Sequence, residues 1–365
     1  TRVRSSAASD VYKRQAQLTA PRTRVPGYSV HTSSQVGTRV APGLGVALLL
    51  VTLYAAFAHG AVSLGVATRV QMAIAVLAAA GLLAWLWSGT LRLAAPRSAL
   101  VGVGLLAAFA GWSAISILWS VAPNQTWLEL NQLITYLLVL GLAAAVGATY
   151  ARAVELIALG FLLVALAVTV YALGQKLFPG LHVPGLFDLN QTGPLPRLQE
   201  PLGYWNALAL FVALAVPVAL GVAADAARER RVRFAALCGV ELMVLAVVFT
   251  YSRGGLLALA IALVVGIGLG GNRLRAAMWL AAAALAMGPV AVIGLKSPQL
   301  TTAGEKLSTR EFAGGILAMF LVLALVALVA GARKLIALEP RVRVEARRAR
   351  RLQRKSLAGP SGPRL

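Results

Sequence analysis

Ten apolar segments, each close to twenty residues long, constrain the fold of this chain more than any other feature. An α-helix needs about 20 apolar residues to cross the ~30 Å hydrocarbon core of a bilayer, where only helices and closed barrels satisfy their backbone hydrogen bonds. The sequence therefore predicts an all-α fold, a polytopic transmembrane helical bundle of about ten spans. We place the spans at residues 42–60, 71–89, 99–119, 130–149, 153–174, 204–224, 234–251, 253–270, 276–295 and 312–332.

The composition argues against a soluble protein. Hydrophobic residues make up 59% of the 365 residues and charged residues only 13%, whereas a soluble domain carries about 25% charged residues. A net charge of +22 would suit nucleic acid in a soluble chain, because Lys and Arg neutralise phosphates. Here the basic residues lie between the apolar segments and at both ends of the chain. We therefore expect the lipid bilayer, and no nucleic acid, as a partner.

The distribution of basic residues predicts the orientation of the bundle. With the N-terminus inside, most of the 34 Lys and Arg residues fall on the inner side, as the positive-inside rule requires. Both termini are then cytoplasmic, and the loop at 175–203 is extracytoplasmic together with Arg197 and Arg253.

The two ends of the chain flank the bundle, which we place at residues 42–332. Residues 1–41 are predicted to form a basic cytoplasmic tail, of which 1–15 contain SSAASDVYKRQ, a string that resembles translated sequencing adapter and is excluded from the fold. Residues 333–365 form a second basic cytoplasmic tail, which we expect to lie against the anionic inner leaflet.

Motifs of soluble enzymes are missing from the sequence, which has no P-loop, no GxGxxG turn after a strand, no HExxH and no CxxC. The three histidines, His31, His59 and His182, are too scattered along the chain to predict a metal site. We expect neither a metal nor another cofactor. His59 lies at the end of a span, where we expect it to meet lipid headgroups.

Two arginines beside apolar segments are the main candidates for binding. Arg197 precedes GYWNALALF, and Arg253 lies in TYSRGG. A guanidinium group offers a planar fork of donors that matches phosphate oxygens, and Gly254 and Gly255 would let a phosphate approach the backbone at a helix N-terminus. Since both arginines are predicted on one face of the membrane, they suit a diphosphate. The alternative for Arg253 is a topological anchor whose side chain extends to the headgroups.

Three further polar residues lie close to or within the spans. Asn206 either caps a helix or hydrogen-bonds its neighbours, and Glu200 is the carboxylate near it in sequence. Glu241 lies inside a span, where an acid is functional, forms a structural hydrogen bond or is neutral.

The residues around Arg197 and Arg253 resemble the O-antigen ligase and polymerase family of bacterial membrane glycosyltransferases, in its actinobacterial branch. The similar stretches are RLQEPLGYWNALALFVALAVPVAL, TYSRGGLLALA and GWSAISILWSVAPNQTWLELNQLITYLL, and the resemblance covers residues 42–332. Family members transfer a glycan, without a metal, from undecaprenyl diphosphate to an acceptor hydroxyl on the outer face of the cytoplasmic membrane. The resemblance thus implies a multi-pass protein of the bacterial cytoplasmic (inner) membrane with a lipid-linked glycan donor and a glycan or glycolipid acceptor.

By this resemblance, Arg197 and Arg253 would hold the donor diphosphate and stabilise the departing charge. The residues assigned to substrate binding are Arg197, Arg253, Tyr204, Trp205, Asn206, Ser252 and Gly254.

The chain departs from the family in its late part. Family members have a large extracytoplasmic loop there, with an essential His proposed to activate the acceptor, whereas this chain has KSPQLTTAGEKLSTR. We expect a C-terminally truncated fragment that is inactive alone. The alternative is a divergent member whose catalytic base lies elsewhere, with Glu200, His182 and Asp188 as candidates. Ligase and polymerase activity are not distinguished.

Two other functions remain open. One is a transporter or flippase of lipid-linked glycans, although the two halves show no convincing repeat of the kind common in transporters. The other is a cell-wall polymerase of the shape, elongation and division type, whose acidic loop motif is not recognisable here.

Overall fold

A computed structural model describes residues 37–88, 97–184, 187–190 and 196–357 of the chain, with side chains up to residue 337. Most of the predicted N-terminal tail lies outside these residues. The first helix begins at Gly37, earlier than predicted, and the last continues to Leu357 through much of the predicted C-terminal tail. The helices are α1 (Gly37–Phe57), α2 (Leu64–Ser88), α3 (Arg97–Ser116), α4 (Pro123–Thr149), α5 (Ala153–Leu177), α6 (Trp205–Ala224), α7 (Arg230–Phe249), α8 (Arg253–Leu269), α9 (Arg273–Lys296), α10 (Pro298–Thr301) and α11 (Leu307–Leu357), and the strands are β1 (His182–Val183) and β2 (Phe187–Asp188).

The described residues form an all-α bundle, as predicted. Nine of their helices are long and apolar enough to cross a membrane, which indicates a multi-pass membrane protein, and α8 is a shorter apolar helix of 17 residues. The number of spans and the side on which the termini lie stay predictions. α5 runs past its predicted end at residue 174, because the polar Gln175 and Lys176 extend the last helical turn rather than ending it.

The buried centre of the bundle is built from α6 and α7. In each of these helices 61% of the apolar span is buried, against 6% in α3 and in α4. Small residues allow helices to approach closely. A side chain at Gly255 of α8 would place its Cβ 2.3 Å from that of Ala209, and one at Gly266 would lie 2.6 Å from Pro217 of α6. These two glycines let α8 lie against α6.

One end of the bundle, which we call the long-loop end, carries the connections 58–63, 250–252 and 297–306 and the described parts of the long connection between α5 and α6, residues 178–184, 187–190 and 196–204. The long connection is tied down at several points. The amide of Leu198 donates to the carbonyl of Phe249 at 3.1 Å. The ammonium group of Lys176 donates to the carbonyl of Pro196 at 2.6 Å and also to the carbonyl of Leu300. The connection is therefore held by the ends of α5 and α7, and Lys176 also joins α5 to α10.

Candidate functional site

Four of the residues around the predicted site form one hydrogen-bonded chain at the long-loop end. The Asn206 amide nitrogen donates to the Tyr204 hydroxyl at 2.6 Å, and the Ser252 hydroxyl donates to the Asn206 amide oxygen at 2.7 Å. Ser252 in turn accepts the Gly255 amide at 2.8 Å. Asn206 therefore bonds its neighbours and does not cap α6, whose N-cap position is taken by Tyr204.

Local sequence explains why Ser252 stands where it does. Its backbone is extended (φ −86°, ψ 109°), and its hydroxyl caps the N-terminus of α8, a position at which serine is strongly preferred. Since α8 lies against α6 through Gly255, the capping hydroxyl comes within reach of Asn206. Gly255 therefore serves helix packing. The space beside Gly254 is open, because the nearest atom to a Cβ at this position would be Ser252 Oγ, at 4.0 Å.

The two predicted arginines occupy different settings. The guanidinium of Arg197 lies over the Trp205 ring, 5.1 Å from its centroid, a favourable cation–π geometry. Arg253 is the first residue of α8 and is exposed. Neither guanidinium has a carboxylate partner within the described part of the chain. Arg197 lines a cavity whose lining does not include Arg253.

That cavity is polar and has a volume of about 240 Å³. It lies between the last turn of α5, the connection at Arg197 and the segment from Gln299 to Arg310. An apolar groove of about 730 Å³ lies on the other side of the same helical turn, where Gly174 and Leu177 line it. The final turn of α5 thus separates a polar cavity from an apolar groove.

Tyr251 is a residue that the sequence analysis missed. Its φ is 53°, in the left-handed region that costs a non-glycine residue energy. Its hydroxyl is buried and has no hydrogen-bond partner among the described residues, and burial raises the pKa of Tyr251. No local signal predicts this conformation, because tyrosine does not favour it.

His59, which the sequence predicts to meet lipid headgroups, has its Nδ1 atom 2.9 Å from Oε2 of Glu200. Its contact with headgroups stays a prediction. A left-handed turn positions the ring, with φ values of 54° at His59, 66° at Gly60 and 56° at Ala61. A Cβ at Gly60 would lie 2.9 Å from the Leu202 carbonyl oxygen, so the turn packs directly on the segment that follows Glu200. Glu200, a candidate base, therefore has an imidazole partner that is distant in sequence.

The other two candidate bases also lie together. His182 faces Asp188 across the β1–β2 pair, and their side-chain atoms Nδ1 and Oδ2 are 3.6 Å apart. This separation is too long for a hydrogen bond, and both side chains are more than half exposed. The described residues contain no group of three His, Cys, Asp or Glu side chains that could hold a metal.

Glu241 belongs to α7 and is completely buried within the bundle. Neither of its carboxylate oxygens has a hydrogen-bond partner among the described residues. The structural hydrogen bond that was one interpretation of this acid is therefore not formed with any of them.

Comparison of the chain with models of protein families, with curated proteins and with solved structures gives no match.

Proposed function

We propose that this chain is a membrane glycosyltransferase resembling the O-antigen ligases, which transfers a glycan from undecaprenyl diphosphate to an acceptor hydroxyl. The observation that carries the proposal is the junction of two distant segments at the long-loop end. Asn206 and Ser252, both assigned to substrate binding from the sequence, hydrogen-bond each other directly. Arg197 and Arg253 flank this junction in sequence, and neither has a carboxylate partner among the described residues.

The reaction requires the acceptor oxygen to attack the anomeric carbon of the first donor sugar. The bond from that carbon to the diphosphate breaks, and undecaprenyl diphosphate leaves with the bonding electrons. Guanidinium groups form short, strong hydrogen bonds to phosphate oxygens. Donors aimed at the position where charge develops lower the barrier of such a step. Arg197 and Arg253 are proposed to do this, and the apolar groove beside α5 would take the prenyl chain.

The acceptor hydroxyl must lose its proton during the attack. Among the three candidate bases, Glu200 has the shortest contact with another titratable side chain, because its Oε2 atom lies 2.9 Å from Nδ1 of His59. In this proposal Glu200 and His59 form the pair that accepts the proton. The alternative is that a base supplied from outside the 365 residues is required, in which case the chain binds the donor without transferring the glycan.

The experiment uses the full chain in lipid nanodiscs with an undecaprenyl diphosphate-linked oligosaccharide. Donor binding and glycan transfer are measured for the wild type and for Arg197→Gln and Arg253→Gln. Arg231→Gln is the matched control, because Arg231 is an exposed arginine near the start of α7, at the opposite end of the bundle. Weaker donor binding by the first two variants alone supports the proposal, whereas equal binding by all four proteins refutes it.

A further inference from the structure

The polar cavity beside α5 carries three cationic side chains, Lys176, Arg197 and Arg310. None of them forms an ion pair with a carboxylate within the described part of the chain. Lys176 and Arg310 lie close enough for their like charges to repel each other. Such an arrangement in a partly buried cavity costs free energy unless an anion neutralises it.

Neutral groups hold the three cations in place without removing their charge. Lys176 donates to two backbone carbonyls, and Arg310 donates through Nη1 to the Asn190 amide oxygen at 3.1 Å. Arg197 stacks on Trp205. A guanidinium group has five N–H donors, so Arg197 and Arg310 retain donors for a ligand while their positions are fixed.

Gln175 adds an independent observation. This residue lines the same cavity and is only 2% exposed. Its amide nitrogen and its amide oxygen both lack a hydrogen-bond partner among the described residues. Buried polar groups are nearly always hydrogen-bonded, and a group without a partner calls for an explanation. A ligand that accepts from the amide nitrogen would supply one of these bonds.

The charge and size of the cavity indicate the class of ligand. One carboxylate, that of Glu305, is also part of the lining, and the Thr302 hydroxyl donates to it at 3.3 Å. Three cations against one carboxylate leave an excess of positive charge. The volume of about 240 Å³ is below the ~300–1,000 Å³ of pockets for drug-sized ligands, which suits a small anion rather than an oligosaccharide.

We propose that this cavity is a binding site for a phosphate or diphosphate group, held by Arg197, Arg310 and Gln175. The inference rests on the proposed function for its lipid-linked source, because Arg197 belongs to both and would then place one phosphate of the donor diphosphate in the cavity. Free diphosphate has the same chemistry and is the other source. Arg253 does not line the cavity, so a loss confined to variants of Arg253 concerns the proposed function and not this site.

The experiment measures binding by titration calorimetry on the full chain in lipid nanodiscs. The probes are inorganic diphosphate and farnesyl diphosphate, a soluble prenyl diphosphate. We expect Arg310→Gln to weaken binding about tenfold, the usual loss for one charged hydrogen bond. Gln175→Glu is nearly isosteric with the wild type and places a negative charge in the cavity. This variant should therefore weaken binding more than Arg310→Gln does. Arg310→Lys should retain most of the affinity, and the control Arg231→Gln all of it.

Each outcome supports or overturns the inference. If Arg310→Gln and Gln175→Glu bind both probes more weakly than the wild type, the site is supported with a lipid headgroup as its ligand. If they bind only inorganic diphosphate more weakly, the site is supported with a free anion as its ligand. Wild-type affinity in both Arg310→Gln and Gln175→Glu overturns it, even where Arg253→Gln weakens binding and supports the proposed function. Failure of the wild type to bind either probe at millimolar concentration also overturns it. A variant with an altered gel-filtration profile is replaced by Thr302→Asp, which adds negative charge on an exposed lining residue.

Discussion

Arginines at the two ends of the bundle have different hydrogen-bond and ion-pair partners. At the end opposite the long loop, Arg228 lies 2.8 Å from Glu155 and 3.5 Å from Asp225. Nε of Arg233 donates to the Ala223 carbonyl at 3.0 Å, and Nη1 of Arg275 donates to the Ala224 carbonyl at 2.9 Å. These carbonyls belong to the last turn of α6, where a helix lacks internal partners and its dipole favours cations. These three arginines, Arg228, Arg233 and Arg275, stabilise the fold.

At the long-loop end, the carboxylates of Glu200 and Asp188 lie beside histidines, 2.9 Å from His59 and 3.6 Å from His182. The cations there have no carboxylate partner among the same residues. An arginine in a membrane protein is therefore interpreted by its partners and by its surroundings. An arginine that donates to the last turn of a helix or pairs with a carboxylate is structural. For cations that line one cavity without a carboxylate partner, we infer a ligand.

The largest effect is expected for substitution of the arginines at the long-loop end. Arg253→Gln removes a hydrogen-bond donor to the negative charge that develops on the leaving diphosphate. We therefore expect glycan transfer to fall about 10²-fold, measured with a protein that includes its catalytic base. The free energy of unfolding should change by less than about 0.5 kcal/mol, because Arg253 is an exposed surface residue. Glycan transfer and thermal unfolding are measured side by side. A large loss of stability in Arg253→Gln without a loss of transfer would show that Arg253 is a structural arginine.

The opposite result is expected for Arg233 at the other end. Arg233 is only 4% exposed, and Arg233→Gln removes its charged hydrogen bond to the Ala223 carbonyl. We expect a loss of about 2 kcal/mol in the free energy of unfolding and no change in donor affinity of the folded fraction. Denaturant unfolding in detergent checks the first value. A stable variant with weakened donor binding would show that this end also contributes to binding.

Ser252→Ala tests whether the junction of α6 and α8 is rigid. The substitution removes an N-cap and the hydrogen bond to Asn206, and loss of a cap costs about 1 kcal/mol. Ser252→Thr keeps the hydroxyl and is the matched control. Hydrogen exchange of the first turn of α8 should rise in the alanine variant only. Equal exchange in both variants would mean that the hydroxyl does not hold the two helices together.

The smallest effect is expected for Tyr251→Phe. The substitution removes a buried hydroxyl that has no partner among the described residues, so stability at neutral pH should change by less than about 0.5 kcal/mol. Burial raises the pKa of Tyr251 in the folded state, so the unfolded chain loses this proton first as pH rises.

The contribution of neutral Tyr251 to stability is therefore fully present below the unfolded pKa of about 10. It is lost as pH rises through the folded pKa. The phenylalanine variant should lose less stability than the wild type between neutral and strongly alkaline pH. Identical pH profiles of thermal unfolding would contradict this assignment.

Much of the fold could be predicted from sequence because each apolar segment carries its own signal. The predicted span 204–224 agrees closely with α6, Trp205–Ala224, since a span is defined by local length and hydropathy. Boundaries at polar residues were predicted less accurately, as the extension of α5 through Lys176 shows. The grouping of Arg197, Tyr204, Asn206 and Ser252 as one site came from the family resemblance, and their binding role stays a prediction.

Contacts between distant segments could not be predicted. His59 and Glu200 are 141 residues apart, and their contact depends on a left-handed turn at a glycine that packs on a backbone carbonyl. The polar cavity joins residues from α5, from the long connection, from the segment before α11 and from the first turns of α11. No local pattern indicates such a meeting, because packing between helices decides it.

The order of the amino acids is enough to predict that this chain folds into long apolar helices. Apart from closed barrels, a helix is the structure in which a run of about 20 apolar residues can cross a bilayer with its backbone hydrogen bonds satisfied. The sequence also indicated the residue types, arginines beside apolar segments, that suit an anionic ligand. Which groups the arginines contact depends on helix packing. The carbonyls of α6 accept hydrogen bonds from Arg233 and Arg275 at one end, whereas the packing of α5 and α11 against the long connection gathers Lys176, Arg197 and Arg310 around one cavity. Charge compensation acts over a few ångströms, and such distances are set by helix packing rather than by order along the chain.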